Sequence, residues 1–322
     1  MVYPPMYDWG SAMNTRHFRE ACDASAAVRL GTSTQFAVAS DEDNVLRVYD
    51  RNAPGAPVSR IDVTAFLAPD DPDEPEGDIE GAAQVGDRIY WIGSHGRSRK
   101  GRERKARQRL FATTLSARDG VFRLAPVGVP YMHLLRDLAT APSLRRFDLA
   151  SAAMRTPEEA GGLNVEGLAA SPDGALLAGF RNPIPGGRAL IVRIENPARL
   201  VDGADAAARV MIGGHLDLGG RGIRALEFVP SLNGYLIVAG AFDDTRTFAV
   251  YRWAGGADDP AFELDVEGLN GVNPEELLVV AGEEASLTVD LLSDDGGSGK
   301  GACKESPLAA RRFRATTRLI RV

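Results

Sequence analysis

The chain has 322 residues, 44% of them hydrophobic and 25% charged, which is apolar material enough for a sizeable core in a soluble globular protein. Thirty-seven Lys and Arg stand against forty-four Asp and Glu, and the net charge of −7 repels nucleic acid and anionic membranes at long range, so neither is expected as a partner. No run approaches the ~18 apolar residues needed to cross a bilayer.

The first residues, Met1 to Trp9, have neither a basic start nor an apolar stretch, so no signal peptide is expected and a cytoplasmic location is the default. Thirty-five Gly and nineteen Pro separate short apolar runs, which favours many turns over long helices. Residues 13–20 lack an amphipathic helical pattern and read as a strand. A first unit follows, with strands at 22–28, 35–40, 45–50 and 58–66, and an acidic connection of Pro, Asp, Glu and Gly at 69–77. The second unit repeats the order at 78–85, 88–94, 109–115 and 121–127. The third reads 164–170, 176–180, 189–194 and 209–216; the fourth reads 223–229, 235–239, 247–253 and 262–266. The fifth gives only 275–281, 286–292 and 312–319, with a Gly/Ser loop at 294–301.

One stretch recurs at the head of each unit. Asp78-Ile79-Glu80-Gly81-Ala82-Ala83 is closely repeated by Asn164-Val165-Glu166-Gly167-Leu168-Ala169-Ala170. Its polar half returns in Asn273-Pro274-Glu275-Glu276-Leu277, its frame in Gly222-Ile223-Arg224-Ala225-Leu226, and a fainter copy begins at Cys22-Asp23-Ala24-Ser25. The equivalent positions Ser25, Glu80, Glu166, Arg224 and Glu275 are separated by 55, 86, 58 and 51 residues. The excess in the second interval falls at about 129–162, where Leu134, Leu135, Leu138 and Leu144 predict one or two short inserted helices. Four short strands per unit, five times over, predict an all-β fold: one β-propeller domain over residues 1–322, with five blades and this helical insertion. The strand missing from the fifth unit is expected from 14–20, closing the ring by pairing the chain ends. A sixth, degenerate blade near 116–150 is the alternative count.

In a propeller the lead-ins to the innermost strands and the turns after second strands open on one face. Asp23, Asp78, Asn164 and Asn273, with Ser25, Glu80, Glu166, Arg224 and Glu275 two residues later, are therefore expected to ring one mouth of the central channel. Residues two apart in a strand share a side. The turns add His95, Arg97, Arg181, Asn182, Asp41 and Asp294. Three glutamates converging on an axis cannot all stay ionised and unpaired. Either the arginines neutralise them in a structural network that clamps the blades, or a hard cation, Ca²⁺ or Mg²⁺, takes oxygens from Asp78, Glu80, Asn164, Glu166, Asn273 and Glu275. Oxygen ligands with no Cys pair argue against zinc. As candidate catalytic groups, Glu80 and Glu166 would hold the cation or act as bases, and His95 would transfer protons. Arg97, Arg181, Asn182 and Arg224 would orient an anionic substrate.

Cys22 and Cys303 make no disulfide framework and are expected as two buried or incidental thiols. The basic run from Arg97 to Arg109 is expected to protrude from the mouth, either as a solvated loop or as an anion-recruiting one.

These pieces, with Ile89-Tyr90-Trp91-Ile92-Gly93-Ser94-His95-Gly96-Arg97, Arg109-Leu110-Phe111-Ala112 and Gly179-Phe180-Arg181-Asn182-Pro183, make the chain resemble a bacterial family catalogued as a domain of unknown function, number 3616. The resemblance runs from about Cys22 to the end and implies a β-propeller without assigning an activity. A more distant similarity, through Glu-Gly at the blade starts, is to esterase-like phytase propellers. The expectation is a propeller that binds a small polar or anionic ligand at its channel mouth with a divalent cation and hydrolyses a phosphoester or ester. The alternative is a non-catalytic scaffold that holds a protein partner, with the mouth residues as blade clamps.

Overall fold

The computed structural model describes residues 14–68, 71–204, 206–243, 245–283, 285–296 and 302–322. The leader at 1–9, Met13, residues 69–70 of the acidic connection and 297–301 of the Gly/Ser loop lie outside them. Among the described residues twenty strands form five four-stranded antiparallel sheets. After β1 (Thr15–Arg19), the first sheet holds β2 (Ala26–Arg29), β3 (Gln35–Ala39), β4 (Val45–Asp50) and β5 (Ser59–Asp62). The second holds β6 (Ile79–Val85), β7 (Arg88–Gly93), β8 (Leu110–Arg118) and β9 (Val121–Tyr131). The third holds β10 (Asn164–Ala170), β11 (Leu176–Asn182), β12 (Ala189–Ile194) and β13 (Val210–Leu216). The fourth holds β14 (Gly222–Val229), β15 (Gly234–Gly240), β16 (Phe248–Trp253) and β17 (Ala261–Leu264). The fifth holds β18 (Pro274–Glu283), β19 (Ser286–Ser293), β20 (Arg312–Arg321) and, at its outer edge, β1.

The first strands of the sheets touch in a closed ring, β2 to β6 to β10 to β14 to β18 and back to β2, so they line the axis of a five-bladed propeller. Burial follows from this. Second strands are covered on both faces and read as continuous apolar runs, as in Gly-Tyr-Leu-Ile-Val-Ala-Gly of β15, buried throughout. Outer strands such as β5 alternate between half-buried and exposed. The Asp119-Gly120 turn between β8 and β9 has positive φ at both residues, the conformation that tight hairpins require. Residues 116–150 supply parts of β8 and β9 and short helices, and no sixth sheet forms among the described residues.

Each of five apolar clusters lies between two consecutive blades. The helices at Leu134–Thr140 and Leu149–Ala152, with a 3₁₀ turn at Pro142–Phe147, add Leu134, Leu138 and Leu144 to the cluster between blades two and three. Burying each of these leucines contributes about 2 kcal/mol.

Pairing of β1 with β20, from Thr15 opposite Thr316 to Arg19 opposite Arg312, closes the ring as the fifth unit's missing strand requires. Phe18 then sits among Phe36, Tyr49 and Phe313, with ring centroids 5.2–5.4 Å from its own. The cysteines differ from expectation. Cys22 and Cys303 form a disulfide, with Cα atoms 5.7 Å apart across a sequence separation of 281. Ring closure is the cause: it places the turn after β19 against the start of blade one, where Asp295 N donates to Cys22 O at 3.0 Å.

Candidate functional site

Four of the five recurring positions share one backbone irregularity. Glu80 is the extra residue between the pairs Ile79–Gly93 and Gly81–Ile92. Glu166 lies between Val165–Phe180 and Gly167–Gly179, Arg224 between Ile223–Ala239 and Ala225–Val238, and Glu275 between Pro274–Ser293 and Glu276–Leu292. A bulge leaves one residue unpaired and re-aims its side chain. Here it does so at the same end of each innermost strand. The glycine that follows is a packing requirement: a Cβ on Gly81 would stand 2.8 Å from Leu168 Cβ of the next blade, and one on Gly167 2.9 Å from Ile223 Cγ2. In blade five Glu276 takes that place, and its carboxylate instead accepts from Ala27 N of blade one at 3.3 Å.

The re-aimed side chains meet carboxylates from the neighbouring turns. Ligand oxygens of Asp41, Asp78 and Glu80 all lie within 4.8 Å of one another. At an effective dielectric of about 20, two carboxylates at that separation repel by about 3 kcal/mol. Burial, and then the charges of Asp78, Glu166, Asp41 and Glu275, push Glu80 well above the usual carboxylate range. Burial followed by Asp23, Asp78, Glu275 and Glu42 does the same to Asp41. Asp78 is pushed up to about 6 by burial, with Arg107 and the Ser94 hydroxyl pulling it back. Asp23 reaches about 7, again chiefly through burial. Asp78 is the best served of the group: Arg107 Nη1 donates to it at 2.8 Å, and Ser94 Oγ donates to the same oxygen. Glu80 is the worst served. It is 7% exposed, and no donor or cation among the described residues bonds to it.

The far side of the mouth is a charge-paired belt. Glu166 accepts from Asn164 Nδ2 at 2.9 Å and from Arg181 Nη1 at 2.8 Å, and lies 3.7 Å from Arg224 Nε. Arg224 also donates to Glu275. Arg181 spends its other nitrogens on the carbonyls of Ala241 and Asp243. Asn273 Nδ2 donates to Asp294 at 3.1 Å. Asn164 Oδ1 is buried without a hydrogen-bond partner.

Three candidate site residues are employed elsewhere. His95 is 2% exposed, its Nδ1 bonds Gly93 O at 2.8 Å, and burial holds it down to about 4; the charge acting on it is that of Arg109. It is a buried, neutral imidazole with no access for proton transfer at the mouth. Arg97 donates to Ala153 O and Gly101 O, both at 2.9 Å, fastening the helical insertion to the loop after β7. Asn182 donates to the carbonyls of Pro157 and Glu159 and holds the end of the same insertion. Part of the basic run is paired, Arg104 with Glu74, Arg107 with Glu76 and Asp78, and Arg99 with Glu158, while Lys100, Arg102 and Lys105 stay exposed. Arg107 was concealed as one cation among many in that run, and only the acidic connection folding against it singles it out. Glu42, too, belongs to the mouth; in the sequence it is one member of the turn cluster after β3.

Residues 23–119 and 131–293, more than half of the chain, match a family described as "Protein of unknown function (DUF3616)". No curated protein matches. Among solved structures, the chain is similar to glutaminyl cyclase from Myxococcus xanthus (14% identity, 96% of this chain and 98% of that one, TM-score 0.43). It is also similar to hydrazine synthase from Kuenenia stuttgartiensis (8% identity, 86% and 57%, TM-score 0.39). A third is PhoX from Pseudomonas fluorescens in complex with vanadate (13% identity, 87% and 58%, TM-score 0.33). The chain spans a little over half the length of the last two. Likenesses of this degree carry no argument about its chemistry.

Proposed function

The chain belongs to the DUF3616 family, whose description carries no activity, and from the geometry of its own channel mouth we propose that it binds a divalent, oxygen-preferring cation there. The observation that carries this is Glu80: 7% exposed, without a hydrogen bond or ion pair among the described residues, and within 4.8 Å of two further carboxylates. A buried carboxylate in that position either keeps its proton or meets a cation. Oxygen-only donors fit Ca²⁺ or Mg²⁺ and not zinc. Asp41, Asp78 and Glu80 would hold the ion, while Glu166, Arg181, Arg224 and Glu275 keep the blades in register around it. The ion, and not the arginines, would then hold the anionic group of a small ligand, because each arginine at the mouth is already engaged by a carboxylate or a carbonyl. Ester or phosphoester hydrolysis is the activity such an ion supports, by polarising the bond to be broken.

One observation favours the scaffold reading. Arg97, Asn182 and Arg181 all spend donors on bonds within the chain, as blade clamps would. Melting in EDTA, CaCl₂ and MgCl₂ separates the two. A ligand at a hundred times its Kd stabilises the folded state by about 2.7 kcal/mol. A cation-dependent rise in Tm that disappears in Glu80→Gln supports the ion site. Equal Tm in all three conditions leaves the scaffold.

The cytoplasmic location expected from the sequence is set against the Cys22–Cys303 bond, of a kind that oxidising compartments keep and the cytosol reduces. No helix among the described residues is long and apolar enough to cross a membrane. Alkylating thiols in freshly lysed cells decides the compartment: two modified cysteines place the working protein in the cytosol, and an unreactive pair places it outside.

A further inference from the structure

Asp41 belongs to two groups of carboxylates at once. One is Asp41, Asp78 and Glu80; the other is Asp23, Asp41 and Glu42, whose ligand oxygens also lie within 4.8 Å of one another. No hydrogen bond from a donor and no ion pair reaches the Asp41 side chain among the described residues; its nearest neighbours are carboxylates, with Arg107 acting at longer range. We infer that the mouth holds two divalent cations, bridged by the Asp41 carboxylate, the first against Asp78 and Glu80 and the second against Asp23 and Glu42. The inference rests on the proposed cation site and extends it.

Charge is the argument for a second ion. Four carboxylates at the mouth have a cationic neighbour: Asp78 with Arg107, Glu42 with Lys304 at 3.9 Å, Glu166 with Arg181, and Glu275 with Arg224. Asp23, Asp41, Glu80 and Asp294 make no close ion pair among the described residues and feel Arg47, Arg107 and Arg224 only at longer range. One divalent ion held by Asp41, Asp78 and Glu80 leaves Asp23 without a close counter-ion, and a second ion answers it. The ligand inventory agrees. Asp23 accepts from Ser40 Oγ at 2.9 Å, Asp41 N at 3.3 Å and Ser25 Oγ at 3.4 Å, and a carboxylate has about four lone-pair sites, so it retains capacity for one ion contact. Glu80, nine-tenths buried and close to Asp41 without a hydrogen bond, shows that the cluster is not closed upon itself on the side of the first ion. Two ions sharing a carboxylate form the clamp that binds both oxygens of a displacement reaction at phosphorus. Inorganic phosphate is therefore the probe ligand.

The test is stoichiometry, read without any activity. Protein loaded with Mn²⁺ and desalted is analysed for metal per chain, and by electron paramagnetic resonance for coupling between neighbouring ions. Two ions per chain with a coupled spectrum are expected, falling to one uncoupled ion in Glu42→Gln. Glu42→Gln alters a half-buried side chain and keeps its shape, so it remains a fair test if a Glu80 variant fails to fold. Phosphate should broaden or shift the spectrum of the wild type and not that of Glu42→Gln. One ion per chain in the wild type overturns the two-ion inference and leaves the single site standing, as it would if Asp23 and Asp41 shared a proton instead. No bound ion overturns both.

Discussion

Arg224 Nε lies 3.7 Å from Glu166 Oε2, on the preceding blade, while its Nη2 meets Glu275 on the following one. One guanidinium thus spans three blades, and burial of these groups makes the contact consequential: Arg224 is 7% exposed and Glu166 5%. Burial disfavours the charge on Arg224, but Glu275, Glu166 and Glu80 outweigh it and leave the guanidinium charged at every pH of interest. Removing one member of a buried ion pair costs about 3–5 kcal/mol, because the partners keep their charge without compensation. Arg224→Met is therefore expected to lose stability of that order in urea denaturation, and adding Glu275→Gln is expected to recover part of it. A loss below about 1 kcal/mol, the value of an exposed pair, would show that water screens the belt.

The acidic cluster sets the sign of the pH dependence. Asp23 and Asp78 have folded pKa values of about 7 and 6 against an ordinary 3.8, so the folded state holds protons that the unfolded chain releases. Their stabilising contribution is complete below 3.8 and is lost as pH rises through 6 and 7. Each such proton is worth about 1.4 kcal/mol per pH unit until its folded pKa is passed. His95 works in the opposite sense: held down to about 4 from 6.5, it contributes stability above 6.5 that is lost as pH falls. The clean window is thus upward from 6.5. In EDTA, Tm should fall from there to pH 8, and saturating Ca²⁺ should remove the share of the acidic cluster by replacing its protons, leaving that of Glu275 and Glu227, which burial pushes up to about 8. A Tm that is flat in EDTA over this window would mean the carboxylates are already ionised.

The fold was readable because its signal is periodic. Five repeats of Glu-Gly or its variants set the blade count, the excess interval located the insertion, and the three-stranded fifth unit implied that residues near Thr15 complete it. Glu80, Glu166, Arg224 and Glu275 were identifiable as equivalents because each fills the same bulge. Partners were less legible. Arg97 and Asn182 lie at the correct end of their strands, but the inserted helices, which have no counterpart in other blades, come close and take their donors. His95 has positive φ, a conformation that no alternation rule registers, and this turns its ring into the blade. The Cys22–Cys303 bond was invisible for a different reason: two cysteines 281 residues apart become neighbours only once the ring is closed.

Gly81 offers a test that separates packing from chemistry. It follows Glu80 directly, yet its constraint comes from Leu168 Cβ, 2.8 Å from where a methyl group would be, and from Ile92 Cγ2 at 3.0 Å. Gly81→Ala should overpack the contact between blades two and three at a cost of about 1–3 kcal/mol. Its Tm should drop while the rise on adding Ca²⁺ persists. Glu80→Gln should do the converse, keeping or raising the metal-free Tm and losing the response. Loss of the response in Gly81→Ala would mean that the bulge geometry itself tolerates no shift.

Ring closure depends on two devices, the β1–β20 pairing and the Cys22–Cys303 bond, and reducing conditions remove only the second. The bond joins positions separated by 281 residues, so in the chain-entropy account it withdraws a very large loop from the unfolded ensemble. Stabilisation by such a bond is about 2–5 kcal/mol. Cys303→Ser is expected to lower stability by that amount, and dithiothreitol should do the same to the wild type and nothing further to the variant. The bond also anchors the start of blade one: Cys22 precedes Asp23, and Cys303 N donates to Gly296 O at 2.8 Å, two residues beyond Asp294. Loosening it should therefore weaken Ca²⁺ binding more than Arg97→Ala does, although both destabilise the fold, since Arg97 fastens the insertion and touches no mouth carboxylate. Titration of Ca²⁺ against both variants by calorimetry, well below their melting temperatures, checks the order. Equal affinities would detach the disulfide from the site and leave it a staple of the ring alone.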